Sequence, residues 1–264
     1  MNDIPSAVFA SIDEEFADKP AATRRQMVAG AAGVIGSMGL MGLAPSIASA
    51  SHDTDNQDIL NIAATAEVLA TIVNTVGPEK LGSNLDPITL QNIQAAAREE
   101  LIHYDVLVSS DVGGKAATKR IWIPDSVFAS KESLLKTLVT GDQIFINAYL
   151  IGTTSFGNDG NGRLARITAE FMGVEAVHRA LALQSLGVLG NDRVFMKYST
   201  GEENPNDAFF KKPGFRKITT AVDYLKMAGF GFGEAGQGPG AFYEFDQVRQ
   251  RTPNPSTLTQ RTPR

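Results

Sequence analysis

Two Glu-x-x-His motifs sit inside apolar, helix-compatible stretches: Glu100-Leu101-Ile102-His103 and Glu175-Ala176-Val177-His178. Residues three apart are neighbours on a helix, so each motif sets a carboxylate and an imidazole side by side on one face. That face also carries Ile93, Ala97 and Leu107 in the first case, and Phe171, Val174 and Ala182 in the second. The chain has three histidines, and the third, His52, lies outside both segments. A charged group on a buried face costs several kcal/mol unless it is paired, protonated or bound to a cation. The motifs therefore predict helices packed face to face, with something in the middle that compensates the lost water.

The surrounding pattern supplies four such helices. From Asp58 to Val76 the chain is apolar nearly all round, and Gly77-Pro78 is expected to end this first helix. Asp86-Pro87 reads as a cap followed by a first-turn proline, opening a second helix to about Ser110, with Ile93, Ala97, Leu101, Tyr104 and Val108 inward. Residues 111 to 130, with Gly113-Gly114 and a proline, read as a connection. Ser130 caps a third helix to about Phe156, with Leu135, Leu138, Val139, Ile146 and Tyr149 inward. The turn Gly157 to Gly162 leads into a fourth helix, Arg163 to Leu186, stopped by Gly187. Short links within each pair and one long link between the pairs predict an all-α, up-down-down-up four-helix bundle with one long crossover.

The other two helices each hold an acidic group at matching depth. Glu67 is the one charge between Ile59 and Val76, and Asp142 lies in the inward stripe of the third helix. With Glu100, His103, Glu175 and His178 they form a candidate ligand set for two metal ions, with Gln143 or Asn147 as weaker substitutes on the third helix. The chain has no cysteine, which excludes thiolate sites and disulfides. Carboxylates with imidazoles suit iron or manganese. The alternative is a set of satisfied core polar groups without metal. Glu99 is expected on the solvent side, and Glu170 to pair with Arg166 on the helix surface.

The first fifty residues read as an address. Thr23-Arg24-Arg25-Gln26-Met27-Val28 opens an apolar, glycine-rich run to Ala44, and Ala48-Ser49-Ala50 offers a cleavage site after Ala50. This resembles a twin-arginine (Tat) signal peptide, which implies the Tat translocase and a signal peptidase as partners and a periplasmic, extracellular or cell-envelope destination. A membrane anchor is the alternative, disfavoured by the glycines that dilute the run. The net charge of −5 gives no pull toward nucleic acid, and homo-oligomerisation is left open.

Residues 57 to 190 resemble the ferritin-like family that includes plant desiccation-related proteins and Tat-exported bacterial members. Leu60-Asn61-Ile62-Ala63 precedes Glu67 as in its first helix. Glu100 to His103 with Asp105 and Leu107 is similar to its second, and Glu175-Ala176-Val177-His178 to its fourth. In the third helix the family's Glu stands six residues before an Ala-Tyr pair; here that pair is Ala148-Tyr149 and the position is Asp142. The resemblance implies a ferritin-like fold and an association with oxidative or desiccation stress. By analogy it implies ferroxidase, oxidase or catalase-like chemistry on oxygen, peroxide or ferrous iron, and a non-catalytic envelope scaffold with a degenerate site is the competing function. Closed-cage iron storage is disfavoured by the long tail.

Three segments follow: a signal at 1–50, a bundle at 51–190 and a C-terminal extension at 191–264. In the extension a short helix is expected from Thr220 to Met227, with Thr220 and Asp223 as a capping-box-like pair. Gly231 to Gly236 matches a dinucleotide fingerprint in spelling, but it lacks the strand-turn-helix setting and reads as an aromatic-glycine loop. Phe242, Tyr243 and Phe245 are expected to pack the extension on the bundle, and the end from Arg251 to be disordered.

Overall fold

The computed structural model describes residues 55–191, 215 and 217–254. The expected signal segment, its cleavage site and His52 lie outside the described residues. Asp55 caps the first helix, α1 (Asn56–Leu81), its side chain accepting the Gln57 N–H. The helix runs past the expected stop at Gly77-Pro78. Pro78 lies in the last turn, where its missing N–H forfeits one bond, and the stop comes at Gly82, with φ 53° and its N–H bonded to the Pro78 carbonyl. Gly77 has another purpose: a Cβ there would lie 2.7 Å from Leu134 Cδ2, so it allows a close helix contact. Although α1 is long and apolar enough to cross a membrane, most of it is buried in the bundle.

Helix α2 (Pro87–Leu107) starts as the sequence predicts, with Asp86 accepting the Thr89 N–H and hydroxyl. Such a cap is worth about 1 kcal/mol. It ends short of Ser110, where the Gly114 N–H returns to the Leu107 carbonyl. Helix α3 (Lys131–Asn158) opens on Ser130, whose hydroxyl oxygen accepts the Ser133 N–H. Helix α4 (Gly162–Ser185) opens on Asn161, and Gly187 takes φ 80° just beyond its end.

These four long helices pack in pairs, α1 with α2 and α3 with α4, and α1 also meets α3 while α2 meets α4. Contacts at the helix ends fix directions. Asn56 reaches Asp159 and Ser155, while Gly77 meets Leu134, so α1 and α3 run antiparallel. Lys131 Nζ lies 2.7 Å from an Asp86 carboxylate oxygen, placing the starts of α2 and α3 at one end. Ser185 Oγ lies 3.0 Å from Thr89 Oγ1, whose own proton goes to Asp86, and this sets the start of α2 beside the end of α4. Between the helices lie Ala64, Val68, Ile72, Ala97, Leu107, Leu134, Leu135 and Phe156, all buried.

The crossover is more than the plain connection its composition suggests. It carries strand β1 (Arg120–Pro124) and a 3-10 turn (Asp125–Phe128). β1 is the centre of a three-stranded antiparallel sheet completed by β2 (Gly231–Phe232) and β3 (Gly240–Glu244) from the extension. Ile121 and Ile123 are buried on one face, and Trp122 meets Phe242 edge-on, 5.1 Å between centroids, on the other. The expected loop at 231–236 thus begins in a strand.

Helix α5 (Thr219–Met227) packs on α3, but no side chain caps it, contrary to the expected Thr220–Asp223 pair. Helix α6 (Phe245–Arg249) packs on α1, with Phe245 fully buried against the Tyr104 ring at 4.5 Å. Tyr243 meets Phe128, while Phe242 packs within the sheet. The chain beyond Arg251 is also tied down further than expected: Arg251 pairs with Glu79 at 2.8 Å and Thr252 with Thr75 at 3.2 Å. Residues 255–264 lie outside the described residues. Exposed ion pairs of this kind contribute at most about 1 kcal/mol, so the buried Phe245 and Val248 anchor the segment.

Candidate metal centre

The six side chains singled out by sequence all come from the middle of the four long helices, and all are buried. Glu67 comes from α1, Glu100 and His103 from α2, Asp142 from α3, Glu175 and His178 from α4. Glu67, Glu100 and Glu175 expose no surface at all.

Glu67, Glu100, His103 and Glu175 form a compact group, each offering one ligand atom within 4.8 Å of the others, and such a group could hold a metal ion. His103 Nδ1 lies 3.5 Å from Glu67 Oε1, 3.4 Å from Glu100 Oε2 and 3.3 Å from Glu175 Oε1. The opposite oxygens of the same two glutamates face the other imidazole: His178 Nδ1 lies 3.2 Å from Glu100 Oε1 and 3.6 Å from Glu175 Oε2. Glu100 and Glu175 therefore stand between two imidazoles, each presenting one oxygen to either side.

None of these close approaches is a hydrogen bond. Both oxygens of Glu100 and of Glu175, Glu67 Oε2, and both Nδ1 atoms are buried without a hydrogen-bond partner. Buried polar atoms are nearly always satisfied, so this concentration of orphaned acceptors around two nitrogens calls for a compensating group. Carboxylate oxygens and imidazole nitrogens converging on common points are donors that a metal ion can take.

Electrostatics agree. Burial, and then the charge of Glu100, push the Glu67 carboxyl up to about 7, against the opposing pull of His103. Burial lowers the proton affinity of both imidazoles, but neighbouring carboxylates more than reverse it. Glu67, Glu100 and Glu175 raise His103 well above the usual histidine range. Glu100, Glu175 and Glu99 do the same for His178. In the absence of another cation, the site draws in protons.

Asp142 lies outside the compact group of four but within reach of its charge. Burial raises its carboxyl well above the usual range, and Glu175 and Glu100 add to that while His178 and Arg179 oppose it. Its Oδ2 is likewise orphaned. Asn147, considered as a substitute ligand, instead gives its amide N–H to the Phe215 carbonyl at 2.8 Å. Gln143 is buried.

Four neighbours escaped the sequence reading. Glu99, expected on the solvent side, is half-buried, and its Oε2 lies 2.6 Å from His178 Nε2. The Tyr149 hydroxyl donates to Glu67 Oε1, and burial followed by the Glu67 charge raises its phenol well above the usual tyrosine range. Phe171 stacks on the His103 ring at 3.9 Å. Arg179, one residue beyond the second motif, is buried beside Asp142. Only Tyr149 and Phe171 left a signal, both as members of inward stripes; a buried tyrosine hydroxyl needs a partner, and Glu67 is the acceptor at hand. Glu170, by contrast, is exposed as expected. Compared with known proteins, the chain matches no family model, no curated protein and no solved structure.

Proposed function

We propose that this chain is a ferritin-like protein whose bundle centre holds two iron or manganese ions between Glu100 and Glu175. The observation that carries this reading is the division of oxygens, with each of these glutamates turning one oxygen to His103 and the other to His178. Glu67 would complete the His103 side and Asp142 the His178 side. A carboxylate from each of two helices plus Glu-x-x-His from each of the other two is the ligand pattern of dinuclear carboxylate bundles. The helix directions and the long crossover support the up-down-down-up arrangement.

Iron or manganese bound there would supply one-electron redox chemistry for oxygen, peroxide or ferrous iron. The chain's own residues do the positioning. Glu99 holds the outer nitrogen of His178, which fixes that ring's orientation and leaves Nδ1 for the centre. Tyr149 holds one oxygen of Glu67, and Phe171 covers the face of His103 and keeps water from it. Export through the Tat route to the periplasm or cell envelope, cleavage after Ala50, and a role in oxidative or desiccation stress belong to the same proposal. They rest on the pattern of residues 1–50 and on the family resemblance.

A second reading has its own support. Because both imidazoles are raised well above the usual range, two protonated rings could offset part of the buried negative charge and leave a metal-free scaffold. Crystals grown with manganese separate the two. The proposal expects two anomalous peaks flanking Glu100 and Glu175, whereas no peak there at millimolar manganese supports the scaffold.

A further inference from the structure

Between α1, α3 and the C-terminal extension lies a cavity of about 120 Å³. Its walls are almost wholly apolar: Ile59 and Ala63 from α1, Ala148 and the Tyr149 ring from α3, and Ala221 and Leu225 from α5. Two lining residues carry hydroxyls, and both are engaged elsewhere. Thr65 donates to the Asn61 carbonyl at 2.7 Å and accepts the Ala117 N–H at 2.8 Å. Tyr149 donates to Glu67. A water molecule needs two or more polar partners to reside in a cavity, and neither hydroxyl here has a proton left to give.

An apolar cavity of roughly 150 Å³ in another protein stays dry and takes up benzene or xenon, and this one is of the same order. A void also destabilises a core in proportion to its volume. Yet alanines at 63, 66, 148 and 221 border it, and a larger side chain at any of them would close it. We propose that this cavity is a binding site for a small apolar molecule, up to the size of one aromatic ring or a short hydrocarbon chain. The extension supplies one wall, so the site exists only because the extension docks on the bundle. The occupant would touch the ring of the tyrosine whose hydroxyl holds Glu67. The link to a metal centre rests on the function proposed above; the binding itself does not.

The test uses the full chain, metal-free and metal-loaded in parallel. Crystals under xenon pressure should show xenon beside Tyr149 and Ala221. Benzene should raise the melting temperature of both forms saturably, by about 3 °C near ten times its Kd. Ala221→Leu and Ala148→Leu should each abolish xenon binding and the benzene shift while melting no lower than the parent by more than a few degrees. Xenon absent from the parent's cavity, or a benzene shift that survives both substitutions, overturns the proposal. If a variant fails to fold, the parent's xenon map decides. Xenon binding in a protein that takes up no metal sinks the metal reading alone, and metal uptake without xenon sinks this one alone.

Discussion

Glu99 Oε2 lies 2.6 Å from His178 Nε2, on the opposite side of the ring from the Nδ1 atom that faces Glu100 and Glu175. A carboxylate on the outer nitrogen fixes the tautomer and orientation of an imidazole and makes it a better ligand. Removing such a partner typically costs 10- to 100-fold in metal affinity. Glu99→Ala is therefore expected to weaken binding of the ion on the His178 side by about that factor. The other ion should be little changed. Manganese titration of the metal-free protein by calorimetry reads both steps, and two unchanged steps would show that Glu99 plays no part in metal binding.

The two shared glutamates and the unshared one should differ in stoichiometry. Glu100→Ala or Glu175→Ala removes an oxygen from each side and should bring metal content below one ion per chain. Glu67→Gln touches the His103 side and should leave about one. Equal losses from all three substitutions would contradict the division of oxygens described above.

Asp142 is shorter by one methylene than the glutamates that the other three helices bring to the centre. A cavity of about 20 Å³, lined by Asp142 and His178 among others, leaves space beside it. Asp142→Glu should tighten binding of the second ion severalfold with little loss of stability, whereas Asp142→Asn should weaken it. If Asp142→Glu lowers stability by the 1–3 kcal/mol typical of an overpacked core without tightening metal, the Asp is serving the core instead.

Metal-free and metal-loaded protein should respond to pH in opposite directions. Glu67 titrates near 7 when folded, against an ordinary value of 4.5. Between those values the folded state therefore holds a proton that the unfolded chain has released, and stability falls as pH rises through that window. The raised imidazoles extend the same trend above the ordinary histidine value of 6.5. The Glu67 contribution alone is on the order of 3 kcal/mol, lost between about pH 4.5 and 7. Metal competes with those protons, so its stabilisation should grow over the same range. Chemical denaturation at several pH values, with and without manganese, measures both slopes. A metal-free protein that gains stability from pH 5 to 8 would contradict the assignment.

The helices were legible because their signals are local. Asp86-Pro87, Ser130 and Gly187 act on the turn next to them, and the two Glu-x-x-His motifs mark a face by spacing alone. Pro78 is no stop because in a last turn a proline costs one hydrogen bond, and Gly77 serves a close approach to Leu134 instead of ending the helix. β1 was not legible because its partners lie far downstream and its five residues cannot announce a sheet by themselves. Glu99 was misread for a geometric reason: one residue before Glu100 it is turned about 100° round the helix, away from the core of its own pair, but toward a histidine on α4. Which polar residues are buried could be read from one helix at a time; which of them touch could not.

The most direct measurement is elemental analysis of the purified full-length protein beside His103→Ala. The account predicts close to two iron or manganese ions per chain in the parent, and both a lower metal content and a lower melting temperature in the variant. Metal far below one ion per chain in the parent, with neither quantity moved by the substitution, would contradict it.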